Sequence, residues 1–287
     1  MLTRPTSLDR AGAALLLTLL LCACATQREQ PLSSAQQHAL TFNQRASQAF
    51  ERGEYRDAAR LYSAALTLAE SMEDTDAIAA NLSNLALVHQ RLREFAVAQK
   101  HLDRLLAHDP PPTPDWQARA AARKALIYLD TGDTVAARHW ADTANAMCRT
   151  TGCTSAATII NLRAVVAFAG GDFALAAELA QQGIGANSAP HQATELANAW
   201  RTLGRADMAL SNPARAAKAL ARALALDKQL GLPDRVALDL TYAGDNEALR
   251  GEARAAEAFF RRAESAYRAA GNMEAARRLE TRIQQAK

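Results

Sequence analysis

Helix-forming stretches and short polar breaks alternate along the chain, and the pattern repeats about every 40 residues. In each repeat one helical stretch ends at a Gly or its equivalent, an acidic residue often follows, and an Ala-rich helical stretch begins. The breaks start at Gly53, Arg93, Gly132, Gly171, Ser211 and Gly251. Gly tolerates the left-handed conformation that ends a helix, and an acidic residue suits the positive end of the next helix. The pattern therefore predicts six pairs of helices, each joined by a tight turn.

Small residues recur on one face of the second helix of every pair, at a spacing of two helical turns. In unit order the positions hold Ala58, Ala98, Ala137, Ala176, Ala216 and Ala256, then seven residues later Ala65, Leu105, Ala144, Gly183, Ala223 and Ala263, with Tyr62, Leu102, Ala141, Ala180, Leu220 and Phe260 between them. Small side chains let two helix axes approach to about 8–10 Å. We expect these faces to form the core between helices. After the sixth pair, the stretch from Met273 to Gln285 predicts one more amphipathic helix, which would cap the array.

The repeats resemble the tetratricopeptide repeat family. The matching first-helix residues are Trp200, Leu203 and Gly204 in the fifth unit, Leu82, Leu85 and Ala86 in the second, and Phe42 and Ala46 in the first, and the second unit ends on Pro110. The period of about 40 exceeds the ~34 residues usual in that family, which implies longer helices. The resemblance covers residues 36–270 and implies an all-α fold, an α-solenoid of about six helix pairs. The predicted map is a signal at 1–23, a tether at 24–35, the superhelical array at 36–271 and the capping helix at 272–287.

The start of the chain predicts export. Arg4 and Arg10 precede an apolar run from Ala11 to Leu21 that is shorter than the roughly 20 residues of a membrane-spanning helix. Its end, Leu21-Cys22-Ala23-Cys24, resembles the bacterial lipobox, which implies lipid on Cys24. The residue after it is Ala25 and not Asp, which in that family implies sorting to the outer membrane, facing the periplasm. The alternative is an ordinary secretory signal cut at the same small residues.

Composition and charge narrow the functional class. The chain carries a net charge of +3, of which Arg4, Arg10 and Asp9 in the signal contribute +1. A balance this close to neutral argues against a nucleic-acid partner, because such binders depend on clustered phosphate contacts. The two cysteines of the folded part, Cys148 and Cys153, lie five positions apart in a chain expected in the oxidising periplasm. We predict a disulfide between them, with two free thiols as the alternative.

The residues give little support for catalysis, a metal or a cofactor. His191 and Glu195 lie one helical turn apart, but a metal site needs three or four ligands. Asp109 and Asp115 flank the proline-rich stretch 110–114 and are interpreted as helix caps. No serine or cysteine has evident His and acid partners, and no phosphate-binding glycine loop follows a strand. Six arginines near the C-terminus indicate a solvated face or a contact with an anionic partner or membrane: Arg254, Arg261, Arg262, Arg268, Arg277 and Arg278.

The resemblance places a partner in the concave groove lined by the first helix of each unit. Carried over by register, the groove residues are Asn43, Ser47, Phe50, Ser83, Leu87, Gln90, Arg91, Leu126, Leu129, Asn161, Val165, Phe168, Arg201, Arg205, Met208, Thr241 and Asp245. Leu126, Val165 and Phe168 have the alternative of packing only against neighbouring helices. The Lys and Asn pattern by which some family members clamp a terminal carboxylate is incomplete.

These residues mix apolar anchors, amides and arginines, which favours another protein bound as an extended peptide with an acidic residue. Arg201 and Arg205 lie one turn apart on one face, so replacing both is expected to weaken binding without changing the melting temperature. A sensor for a small envelope ligand, such as a glycan fragment, is the alternative function, and it would require a closed pocket.

Overall fold

The computed structural model describes residues 32–151, 153–187 and 192–285, and within these ranges it contains thirteen α-helices and no strand. The helices are α1 (Ser34–Glu51), α2 (Tyr55–Ser71), α3 (Thr75–Arg91), α4 (Phe95–Leu106), α5 (Pro114–Asp130), α6 (Thr134–Thr151), α7 (Ala156–Ala169), α8 (Phe173–Ala186), α9 (Ala193–Ala209), α10 (Pro213–Gln229), α11 (Pro233–Leu249), α12 (Ala253–Ala269) and α13 (Met273–Gln285). Each helix packs on the next one in the chain, so six pairs and a final helix form an all-α solenoid. The six predicted pairs and the final helix are confirmed.

The six predicted breaks are the turns between the two helices of each pair. Gly53, Gly132, Gly171 and Gly251 adopt φ values between 78° and 83°, as the left-handed end of a helix requires. The other two turns reach the same region without glycine, at Arg93 (φ 60°) and Ser211 (φ 62°). The turn geometry is therefore preserved in all six units although two of them lack the residue that favours it.

The core follows the small-residue pattern of the second helices. All of the predicted positions on that face are buried, and the most exposed of the hydrophobic residues among them, Tyr62, is only 7% exposed. In the sixth pair, Gly244 of α11 lies against the ring of Phe260 on α12, where an added Cβ would find three ring atoms within 3.0 Å. Helices of mostly 17 or 18 residues account for a period longer than that of the resembling family.

Both ends of the described array have a defined structure. Helix α1 begins at Ser34, two residues before the predicted start at 36, because Ser33 and Gln36 form a reciprocal capping box. At the other end α13 packs on α12 and buries Ala276, Leu279 and Ile283, as expected of a cap. The predicted signal and lipobox, including Cys24, lie outside the described residues, as does His191. Within the described ranges, no helix combines the length and apolarity needed to cross a bilayer.

Candidate partner-binding groove

The first helices of successive pairs, α3, α5, α7, α9 and α11, contact one another side by side and line one continuous groove. The groove contains three clefts. The α3–α5 cleft has a volume of about 430 Å³, the central cleft between α5 and α11 about 470 Å³, and the α9–α11 cleft about 370 Å³. Leu126 lines both the first and the second cleft, while Arg205 and Tyr242 line both the second and the third. Each cleft is open on one side, so the groove can admit an extended ligand.

The repeat register divides the predicted residues into two classes. The side chains six residues before each turn are only half-buried from the second unit onward and face the clefts: Leu87, Leu126, Val165, Arg205 and Asp245. Gln90, Arg91, Phe168 and Met208, near the ends of their helices, also line clefts. In the second, fourth and fifth units the residues one turn earlier are instead buried, namely Ser83, Asn161 and Arg201. The register thus separates contact positions from residues that support the groove from below.

Arg205 is the groove arginine with the most defined setting. Its guanidinium carbon lies 4.1 Å from the ring centroid of Phe168 on α7 and 5.0 Å from that of Tyr242 on α11. Within the part of the chain that the structure describes, no carboxylate lies within ion-pair distance of it. Stacking on aromatic rings leaves the in-plane N–H groups of a guanidinium free, and this fork matches a carboxylate. Arg205 can therefore bind an acidic group without giving up its own contacts.

Arg201 has a different role from the predicted one. Its side chain is 9% exposed and lies between two fully buried carboxylates, Asp227 of α10 and Asp239 of α11. The Nε donates to Asp239 at 2.6 Å, Nη2 contacts both carboxylates, and Nη1 donates to Asn198 at 2.8 Å. Its loss would leave two buried charges unpaired, so we expect, contrary to the prediction from the sequence, that replacing Arg201 lowers the melting temperature.

The cluster of Arg201, Asp227 and Asp239 holds two carboxylates and one guanidinium. Burial raises the pKa of Asp239 to about 6, with the nearby Asp227 adding to the effect and the hydrogen bond and charge of Arg201 opposing it. The Oδ1 atom of Asp227 is buried without a hydrogen-bond partner among the described residues. Asp239 is therefore the group in this cluster that takes up a proton at mildly acidic pH.

Asn161 also belongs to the groove floor and not to its open surface. Its amide nitrogen donates to the backbone oxygen and the carboxylate of Glu195 at 2.8 and 2.9 Å, which ties α7 to α9. Gly183 of α8 lies directly behind it, since an added Cβ there would collide with the Asn161 side chain. The small residue predicted at position 183 thus makes room for this polar link.

A second group of arginines lies in the α3–α5 cleft. Arg91 is exposed, and Arg123 lies beside it on α5, where its Nη1 donates to Gln90 at 3.5 Å. Burial lowers the pKa of Arg123, and the positive charges of Arg91 and Arg119 lower it further against the opposing effect of Asp130. Neither Arg91 nor Arg123 has a carboxylate within ion-pair distance among the described residues. Like charges therefore crowd this end of the groove.

The cleft-lining residues that the sequence prediction missed include Arg123, Arg235 and Tyr242. Arg123 and Tyr242 occupy the same repeat position, nine residues before their turns, which the family-derived set omits. Arg235 lies near the start of α11 and donates from Nη1 to Asn198 at 2.5 Å. A lysine and arginine count restricted to the first helix of each pair would have found both arginines.

The remaining predicted groove residues do not line these clefts. Asn43, Ser47 and Phe50 lie on α1, and Phe50 packs on Tyr55 across the first turn at 5.3 Å between ring centroids. Leu129 packs into the core between α5, α6 and α7. The Thr241 hydroxyl donates to the backbone oxygen of Ala237.

The cysteine pair lies where α6 and α7 meet. Cys148 is buried, its Cα is 5.0 Å from that of Cys153, and the two sulfur atoms are paired. This Cα separation falls in the usual range of a disulfide. Formation of the bond in the protein remains a prediction.

Other sequence candidates have structural partners. Asp115 accepts hydrogen bonds from the backbone and hydroxyl of Ser155 and from Thr154, which links α5 to the start of α7. Among the C-terminal arginines, Arg261, Arg268 and Arg278 pair with glutamates of the same helices. A search of the described residues for three or more clustered His, Cys, Asp or Glu side chains that could hold a metal finds none.

Fold and groove together define the class of protein: an α-solenoid of helix pairs with an open groove along its first helices. The family model described as tetratricopeptide repeat matches residues 83–148, from within α3 to near the end of α6. This model describes a structural repeat and not a catalytic domain. A comparison with curated protein sequences gives no match.

Solved structures with similar architecture extend this likeness over most of the chain. BtubC (BKLC) from P. vanneervenii matches with a TM-score of 0.58 and 21% identity, over 84% of this chain and 93% of its own. PilW, a widely conserved type IV pilus biogenesis factor, matches with a TM-score of 0.60 and 16% identity, over 82% and 96%. A Rap protein complexed with Competence and Sporulation Factor matches with a TM-score of 0.61 and 12% identity, over 87% and 71%. At these identities the likeness concerns the fold alone.

Proposed function

We propose that this chain is a lipid-anchored protein of the bacterial outer membrane whose groove binds an extended, acidic segment of another protein. It would act as a scaffold or assembly factor on the periplasmic side. The observation that carries the proposal is Arg205, half-buried in the groove, stacked on two aromatic rings and without a carboxylate partner in the described chain.

The shape of the groove supports a protein segment as the ligand. The clefts share lining residues and are open, whereas a small-molecule site is typically a closed pocket that buries most of its ligand. Among the solved structures with this fold, one is a type IV pilus biogenesis factor and one is a Rap protein complexed with Competence and Sporulation Factor. These names add support for a partner-binding role, while the chemistry of the ligand is inferred from this groove.

Selection of peptides tests the groove directly. The full chain, solubilised in detergent and immobilised, would be presented with a random peptide display library, in parallel with Arg205→Gln and Arg222→Gln variants. Arg222 is an exposed arginine on α10, the second helix of its pair, and it has no ion pair among the described residues, so it matches the change in charge outside the groove. We expect enrichment of Asp and Glu in peptides bound by the native chain and the Arg222 variant, and weaker enrichment with Arg205→Gln. Equal enrichment in all three would contradict the proposed site.

The anchor is tested separately. Cys24→Ser should abolish incorporation of radiolabelled lipid and release the protein from membrane fractions, because lipid on that cysteine is the proposed anchor. Cys22→Ser changes a cysteine two residues earlier, inside the predicted signal, and should leave labelling intact. A Cys24→Ser protein that stays in the membrane fraction would show that the anchor assignment is wrong.

A further inference from the structure

The groove contains two separate groups of arginines without carboxylate partners in the described chain. One group is Arg91 and Arg123 in the α3–α5 cleft, which Arg93 also lines, and the other is Arg205 and Arg235 in the central cleft. Helix α7 lies between them and contributes no arginine to the clefts, only apolar side chains such as Leu162 and Val165 together with Thr158 and Asn161. Positive charge is therefore concentrated in the α3–α5 cleft and in the central cleft, and the side chains of α7 between these two groups are largely apolar.

The acidic side chains of the groove form no ion pair with these arginines in the described chain. Asp130 accepts from Gln90 at 2.6 Å, Glu195 accepts from Asn161, and Asp245 pairs with Arg282 of the capping helix. Burial lowers the pKa of Arg123 first, and the positive charges of Arg91 and Arg119 lower it further, against the smaller opposing effect of Asp130. An anionic ligand would relieve this repulsion in the α3–α5 cleft, and it would supply the carboxylate that Arg205 and Arg235 lack in the described chain.

We infer that the groove reads two acidic positions of one extended segment, with apolar residues between them, through Arg91 and Arg123 at one site and Arg205 and Arg235 at the other. This inference rests on the proposed function and specifies its ligand. Beyond the second site, the α9–α11 cleft places Phe168, Met208 and Leu249 beside Arg205, so an apolar side chain is expected to follow the second acidic position.

The spacing of the two acidic positions follows from the helix packing. Two steps between neighbouring first helices, from α5 to α7 and from α7 to α9, span about 16–20 Å at the usual interaxial distances. An extended chain advances about 3.3 Å per residue. The two acidic positions are therefore expected about five or six residues apart.

Labelled synthetic peptides measure this spacing by fluorescence anisotropy with the full chain in detergent. The probes are twelve-residue peptides with two Glu-Glu pairs whose centres are two, five or nine residues apart, a peptide with one pair, and a peptide with Lys in place of Glu. We expect the five-residue spacing to bind at least tenfold more tightly than the single pair. Arg123→Gln and Arg205→Gln should each reduce that affinity to the single-pair level while the melting temperature stays unchanged.

The outcomes separate this inference from the proposed function. Equal affinity at all three spacings, or full affinity with Arg123→Gln, would overturn the two-site inference and leave a single acidic site at Arg205. Binding of no acidic peptide, or equal binding of the Lys peptide, would overturn the proposed function itself. Arg222→Gln controls for the loss of one positive charge outside the groove.

Discussion

Replacing Arg201 with Met tests whether this arginine stabilises the groove from below. The variant keeps much of the length of the side chain and removes its charge. Asp227 and Asp239 would then be buried without a counter-charge, since both are 0% exposed. Removing one partner of a buried ion pair costs about 3–5 kcal/mol, because the remaining charge cannot be solvated.

The size of this effect should depend on pH. A buried carboxylate that loses its arginine avoids the cost by taking up a proton, so the destabilisation of Arg201→Met should be smaller at pH 5 than at pH 8. Thermal unfolding followed by circular dichroism measures it. For a chain of this size about 1 kcal/mol shifts the melting temperature by about 2–4 °C, so we expect a decrease of about 6–20 °C at pH 8.

Arg163→Met provides the matched control. Arg163 pairs with Asp142 at 2.9 Å, and these side chains are 26% and 53% exposed. Such a pair contributes about 1 kcal/mol or less. If Arg201→Met lowered the melting temperature no more than Arg163→Met at pH 8, the assignment of Arg201 as a structural residue would be refuted.

Three further predictions concern packing, protonation and the cysteine pair. Gly244→Ala should destabilise the fold by about 1–3 kcal/mol, because the added Cβ would overlap the ring of Phe260. Gly185→Ala, with nothing within 4 Å of the added Cβ, should stabilise the fold by about 0.5–1 kcal/mol. Chemical unfolding that ranks the two variants in the opposite order would contradict this packing. Burial raises the pKa of Asp239 from 3.8 to about 6, so stability present below pH 4 is lost as the pH rises through 6, by about 3 kcal/mol. Asp239→Asn should flatten this part of the stability profile, and an unchanged profile would refute the shift. Cys148 and Cys153 should resist alkylation until reduced, with about 2 kcal/mol lost on reduction, and full labelling before reduction would exclude the bond.

The helix pairs could be predicted because the same local sequence features recur in all six repeats. A helix-ending residue, an acidic residue and a small-residue face recur at a constant period, so exceptions such as Arg93 and Ser211 are identified by their position. Their left-handed backbone shows that the neighbouring units determine the turn even where the residue does not favour it. Tertiary packing here overrides the preference of a single residue.

The groove could be predicted only in part. Register alone placed Arg201 and Arg205 on one helix face four residues apart, which is correct for the helix but ignores what lies below it. The acids that bind Arg201 come from α10 and α11, 26 and 38 residues away in sequence. No spacing rule within α9 contains that information, so the buried arginine and the open one look alike in the sequence.

Tyr242 is a groove residue that the repeat register did not predict. It reaches Arg205 from the next first helix, and its position nine residues before the turn lies outside the set carried over from the resembling family. The stacking needs one residue from each of three helices. Such a combination depends on how far neighbouring repeats rotate relative to each other, which the repeat period does not specify.

Site-specific photocrosslinking tests the central claim, that the groove binds an acidic segment of a partner. A photoreactive residue would replace Met208, which lines the groove beside Arg205, or Val135, which is 81% exposed on the second helix of the third pair. After irradiation in intact cells, mass spectrometry would identify the crosslinked peptides. The account predicts adducts from position 208 that map to a segment containing Asp or Glu residues and that disappear with Arg205→Gln. Adducts formed from position 135 and not from 208, or a crosslinked segment without acidic residues, would contradict it.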